Sequence, residues 1–125
     1  MEVIKIHEMG YIPGIHFNHQ TGVLEMTGKA CPEDAVDFYR PILKWIDEYA
    51  QKPSTNTVFN FKLSYYNTAS SKILLNILQK LDEIKKNNFN VSINWYYFED
   101  DEELLNAGED FSEMIAVPFK FIATE

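Results

Sequence analysis

Between Val58 and Lys72 the hydrophobic pattern changes its period. Phe59, Phe61, Leu63 and Tyr65 alternate with Asn60, Lys62, Ser64 and Tyr66, the spacing of a strand buried on one side. Past Lys72, the residues Leu74, Ile77, Leu78, Leu81 and Ile84 fall on one stripe of a helix. The junction, Asn67-Thr68-Ala69-Ser70-Ser71, is small and mostly polar, as turns and helix N-caps are. A set of hydroxyls is therefore expected on a strand-to-helix turn, beside the first free N–H groups of a helix. Those groups and the helix dipole favour negative charge, so the place tolerates a phosphate as well as serving as a plain cap.

The same one-sided alternation recurs along the chain. Ile15 and Phe17 alternate with His16 and Asn18, and Leu24 and Met26 with Val23, Glu25 and Thr27. The intervening His19-Gln20-Thr21-Gly22 predicts a turn, hence a hairpin over 14–28. Val91, Ile93, Trp95 and Tyr97 alternate with Ser92, Asn94 and Tyr96. Short strands are expected over 3–7 and around Val117, Phe119 and Phe121. Cys31-Pro32-Glu33-Asp34 is expected to open the first helix, with Cys31 as a small capping residue. Its buried stripe would be Ala35, Phe38, Tyr39, Ile42, Ile46 and Tyr49, with a kink from Pro41 near Asp37. A third, short helix should begin within Glu99–Glu103 and stop near Gly108.

No strand is apolar on both faces, which the central strands of a doubly wound sheet would be. The pattern predicts a two-layer α/β fold, a mostly parallel mixed sheet with all helices on one face. Right-handed crossovers would then add strands in one direction only. Ala30–Glu33, Tyr65–Lys72 and Phe98–Glu102 would meet on one sheet edge, with the hydroxyl turn in the middle. Asn60, Lys62, Ser92 and Asn94 would line the open face. Trp95 is expected in the core, and Trp45, at the margin of its helix stripe, partly exposed.

At 125 residues, 46% of them hydrophobic, the chain is expected to form a single domain, 1–125, around one core. It has one cysteine, no apolar run of membrane-spanning length, and a beginning unlike a signal peptide, so a cytoplasmic location is expected. A formal net charge of -8 argues against nucleic acid and anionic membrane as partners. Arg40 is the only arginine, few fixed cations for an enzyme acting on phosphorylated substrates.

Two sets of residues offer an alternative, a small metal-dependent enzyme. His7, His16 and His19 could supply imidazoles, and the acidic loop Glu99-Asp100-Asp101-Glu102-Glu103 could supply carboxylates for Mg²⁺. Against this, acidic residues at a helix start complement its dipole without any ion, and three histidines near one end need not converge. No phosphate-binding glycine loop and no nucleophile with its base occurs in the sequence.

Five separated stretches, in order, resemble the SiaC family of bacterial regulatory phosphoproteins. They are Gly28-Lys29-Ala30-Cys31-Pro32-Glu33, Phe38 to Trp45 (FYRPILKW), Leu63 to Lys72 (LSYYNTASSK), Trp95-Tyr96-Tyr97 and Gly108-Glu109-Asp110-Phe111. The resemblance implies a STAS-like organisation, as in anti-sigma-factor antagonists, and no catalysis or cofactor. It implies partner switching: a Ser/Thr kinase phosphorylates the protein and a PP2C-type phosphatase reverses the step. The unmodified form would bind and activate a diguanylate cyclase, raising cyclic di-GMP and promoting biofilm formation. The implied acceptor is the threonine of an Asn-Thr-x-Ser-Ser motif, here Thr68, with Ala69 where relatives often have serine. The implied partner-binding turn comprises Tyr65, Tyr66, Asn67, Thr68, Ser70, Ser71 and Lys72.

Overall fold

All strands lie in one six-stranded sheet, side by side in the order in which the chain makes them. The computed structural model describes residues 1–125. A hairpin-like start, β1 (Ile4–Ile6), β2 (Gly14–Asn18) and β3 (Val23–Ala30), is antiparallel throughout. Then α1 (Ala35–Gln51), α2 (Thr68–Lys86) and α3 (Glu102–Ser112) each connect two parallel neighbours, adding β4 (Asn56–Tyr66), β5 (Asn90–Phe98) and β6 (Phe119–Thr124). Growth in one direction is what successive crossovers of one hand on one face produce.

The alternation decides the layers. Phe17, Leu24, Met26, Phe59, Phe61, Ile93 and Trp95 point to the helical side and are buried. Helix α1 reaches β2 through Trp45 and Phe17, whose ring centroids lie 5.2 Å apart, and α3 reaches β5 through Phe111 and Trp95 at 5.8 Å. Between them α2 inserts Leu74, Ile77, Leu78, Leu81 and Ile84. On the other side a polar row crosses every strand: Lys5, His16, Glu25, Asn60, Asn94 and Lys120 are successive cross-strand partners. Asn94 donates to Asn60 at 2.8 Å and Asn90 to Asn56 at 2.9 Å, so the centre of this open face is an amide ladder. Asn60, Lys62, Ser92 and Asn94 lie on it, as their alternation predicts.

Three sequence expectations are corrected. Trp45 is buried, at 5% exposure, because the N-terminal segment covers it and the Glu2 carbonyl accepts from its indole N–H at 2.5 Å. The cap of α1 is Asp34, whose Oδ1 accepts from Asp37 N at 3.2 Å, whereas Cys31 precedes it as the first residue beyond β3. Pro41 lies inside α1, as expected, on its exposed side. Gly108 does not stop α3 but lies buried inside it, with Trp95 against its Cα.

Candidate functional site

The hydroxyl turn is tighter than its sequence suggests. Strand β4 ends at Tyr66 and α2 begins at Thr68, so Asn67 alone makes the turn. Asn67 is held from three sides. Its N–H donates to Ala30 O at 3.3 Å, its Oδ1 accepts from Ser70 N at 2.9 Å, and its carbonyl accepts from Ser71 N at 2.9 Å. Thr68 is therefore the first residue of the helix, exposed, with its own N–H and that of Ala69 lacking intrahelical acceptors.

The expected partner-binding residues separate on this turn. Thr68, Tyr65 and Lys72 face solvent, Tyr65 with 58% of its surface exposed. Asn67, Ser71 and Tyr66 are half-buried. Ser70 is wholly buried, at 0% exposure, and cannot line a docking surface, which corrects its place in the expected set. Its hydroxyl meets the Tyr39 hydroxyl of α1 at 2.9 Å. Burial pushes the Tyr39 phenol above its ordinary range, with the Ser70 hydrogen bond opposing and Cys31 adding to the rise.

Tyr65 and Tyr66 also exchange the faces that strict alternation assigns them. Between Leu63 and Tyr65 the ladder with β3 shifts by one residue, opposite Gly28 and Lys29, leaving Ser64 as the extra residue of a bulge. Gly28 takes φ +78 there, a left-handed conformation that glycine adopts without a Cβ penalty. Beyond the bulge Tyr66 turns inward to within 6.5 Å of the Phe111 ring, and Tyr65 turns out. Burial raises the Tyr66 phenol pKa, and the Asp110 charge raises it further.

Beside the turn, Ser64, Tyr65, Tyr66, Asp101, Glu103, Leu104 and Ala107 line a groove of about 220 Å³. It brings the acidic loop next to the exposed aromatic of β4. Asp101 is occupied structurally: its Oδ1 caps α3 by accepting from Leu104 N at 3.0 Å. A second neighbour was not apparent from spacing. Tyr11 O accepts from Cys31 N at 2.9 Å, and Lys29 Nζ stands 5.6 Å from the Tyr11 ring centroid, which brings the exposed Met9 and Tyr11 turn to the same sheet edge.

The residues proposed for metal chemistry do not assemble. His7 and His16 line one depression on the open face with Glu8 and Glu25, and strands β3 and β4 stand between β2 and the strand that leads to the acidic loop. His19 sits on the β2–β3 turn, its carbonyl accepting from Ser54 Oγ at 2.8 Å. No three His, Cys, Asp or Glu side chains are grouped closely enough to hold one ion. No helix is long and apolar enough to cross a membrane.

The two-layer scaffold presents the Asn67-capped turn, with the exposed Thr68 at its tip, on one edge of the sheet. The chain belongs to the SiaC family of regulatory phosphoproteins, whose family model matches residues 6–124. The family is regulatory, not catalytic. Over 107 residues, 86% of this chain and 85% of the other, it is 28% identical to an uncharacterized protein of Pseudomonas aeruginosa strain UCBPP-PA14. Its fold is similar to that of apo-SiaC from Pseudomonas aeruginosa, with TM-score 0.88 and 25% identity over 98% of this chain and 100% of that one. It is also similar, with TM-score 0.91 and 26% identity over 97% and 99% of the two chains, to a chain in the crystal structure of the Pseudomonas aeruginosa diguanylate cyclase SiaD in complex with its activator SiaC.

Proposed function

We propose that this protein is a phosphorylation-controlled activator of a diguanylate cyclase, and that Thr68 is its phosphoacceptor. The carrying observation is the similarity, at TM-score 0.91, to a SiaC-family fold found in complex with the cyclase it activates. The placement of Thr68 supports the assignment of the acceptor. Among the hydroxyls of the turn, Thr68 is exposed, Ser71 half-buried and Ser70 enclosed. In this reading a Ser/Thr kinase modifies Thr68, a PP2C-type phosphatase restores it, and only the unmodified form engages the cyclase.

The physics of the switch is local. A phosphate adds about -1.5 to -2 charges at pH 7 to an otherwise neutral turn. A partner packed on that turn must pair the dianion or bury it unpaired, and losing one side of a buried charge pair costs about 3–5 kcal/mol. At 1.4 kcal/mol per decade, that is roughly two to four orders of magnitude in affinity.

The test combines mass spectrometry with a cyclase assay. Incubation with the kinase and ATP should add one phosphate, on Thr68, and Thr68→Ala should remain unmodified and keep activating the cyclase. Phosphate on Ser71 with Thr68 untouched, or equal activation by modified and unmodified protein, would refute the reading.

A further inference from the structure

Two polar side chains are buried in this protein, Ser70 and Thr57, and each bonds the hydroxyl of a tyrosine of α1. Thr57 meets Tyr49 at 2.7 Å near the start of β4, and Ser70 meets Tyr39 at 2.9 Å near the start of α2. The two bonds lie at opposite ends of α1, and the Tyr49 hydroxyl also accepts from Ser54 N at 3.2 Å. Only the bond to Tyr39 touches the turn that carries Thr68.

Ser70 is fixed at both ends. Its N–H goes to the Asn67 side chain at 2.9 Å and its Oγ to Tyr39. The first turn of a helix is where ladders fray, since its N–H groups lack partners within the helix. Here the cap ties that turn to β4 and the hydroxyl bond ties it to α1. Thr68, two residues before Ser70, inherits its position from both. Its side chain is free to react while the backbone beneath it is held.

Resting on the reading of Thr68 as acceptor, we propose that Ser70 and Tyr39 are positioning residues for phosphoryl transfer to Thr68. In that step the Thr68 hydroxyl oxygen bonds the γ-phosphorus of ATP and the bond from that phosphorus to ADP breaks. The hydroxyl proton passes to a base of the kinase. Transfer needs the oxygen in line with the phosphorus, and small misplacements are costly in rate. An unclamped first turn presents Thr68 over a spread of positions, so fewer encounters are productive. Ser70 itself is withheld from the kinase by burial.

The experiment uses the full chain in five forms: wild type, Tyr39→Phe, Ser70→Ala, the double variant, and Tyr49→Phe. Each is assayed for kcat/KM of phosphorylation at Thr68 by the cognate kinase with Mg-ATP, for melting temperature, and for amide exchange over 67–74. Losing one hydrogen bond changes an equilibrium by about five-fold, so Tyr39→Phe and Ser70→Ala should each accelerate exchange at the Ser70 and Ser71 amides and lower kcat/KM on about that scale. The double variant should be no worse than either single one, because both remove one bond. Tyr49→Phe removes the bond to Thr57 and the one its hydroxyl accepts from Ser54 N at 3.2 Å, so it should lower the melting temperature at least as much yet leave exchange at the turn and kcat/KM at wild-type values. Independent, multiplying effects in the double variant, or an equal loss in Tyr49→Phe, would overturn the proposal. So would wild-type exchange at the turn in both Tyr39→Phe and Ser70→Ala. Should the wild type take up no phosphate on Thr68, the acceptor reading falls, and with it the proposal. The exchange data then show separately whether the hydroxyl bond holds the turn.

Discussion

Gly108 lies flat against the indole of Trp95: a Cβ at Gly108 would stand 2.5 Å from the indole Nε1, which donates to Leu104 O at 3.0 Å. The helix thus carries a glycine in its interior because an aromatic ring occupies the space of a side chain. Trp95 cannot give way, since Phe61, Phe111 and Phe119 pack around it and it is 1% exposed.

Gly108→Ala should therefore destabilise the fold even though alanine is the better helix former. Overpacking costs about 1–3 kcal/mol, and the helical gain returns up to about 1 kcal/mol. A net loss near 1–2 kcal/mol is expected, read as a lower urea midpoint at unchanged slope. An unchanged or raised midpoint would show that the ring has room to move.

Alkaline pH should weaken the protein through Tyr39 and Tyr66. Burial raises both phenols above 10.0, assisted at Tyr66 by Asp110. In the unfolded chain both ionise as pH passes 10.0, while the fold keeps their protons, so above that pH the unfolded state binds fewer protons and stability falls. Below it both states are protonated and neither tyrosine contributes a slope. Lys62, raised by its hydrogen bond to Glu25, shifts in the same sense, but the pair is solvent-exposed and adds little. Urea midpoints from pH 8 to 11.5 should stay flat and then drop, and Tyr39→Phe and Tyr66→Phe should each flatten the drop. A slope equal to wild type in both variants would assign the effect elsewhere.

Much of this architecture is legible in the sequence because alternation is a property of whole strands. Phe59 and Phe61 against Asn60 and Lys62, repeated as Ile93 and Trp95 against Ser92 and Asn94, determine which face the helices cover. What alternation cannot register is a one-residue bulge. Ser64 is inserted opposite Gly28 and Lys29, and every side chain after it changes face, so Tyr65 and Tyr66 swap roles. Trp45 is missed for another reason: its cover is supplied by the distant Glu2, which helical periodicity does not include. At the acceptor turn, small polar composition points to the place but does not sort its hydroxyls. Ser70 goes inward because a tyrosine from α1 meets it, a contact between residues 31 positions apart.

The Glu2 contact makes a prediction of its own. Both indoles should resist iodide in the intact protein, Trp45 because the Glu2 backbone meets its N–H while Phe17 and Tyr49 pack on its ring. Removing residues 1–3 should raise the quenching of one indole and shift emission to the red. Leaving a buried N–H without its acceptor costs about 1–3 kcal/mol, less where water replaces the carbonyl. Unaltered quenching after the deletion would mean that α1 and β2 alone enclose Trp45.

The last prediction concerns the modified state. A phosphate on Thr68 would sit at the first residue of α2, where its own N–H and that of Ala69 are free and the dipole is positive. Lys72, one turn along and exposed, is in reach as an i,i+4 partner for the dianion. Nothing buried has to break, since Asn67 caps through Ser70 N and the core begins at Ser70 and Leu74. Phosphorylation should thus leave the circular dichroism spectrum unchanged and stabilise the domain by about 0.3–1 kcal/mol at low salt. The gain should shrink as salt screens it. Lys72→Ala should remove part of it without changing the unmodified protein's midpoint by more than about 0.5 kcal/mol. The measurement is a paired urea titration of unmodified and phosphorylated protein at low and high ionic strength. A phosphorylated form that melts earlier would show that the switch works by loosening α2. Equal or higher stability would locate its effect in the bound partner's interface.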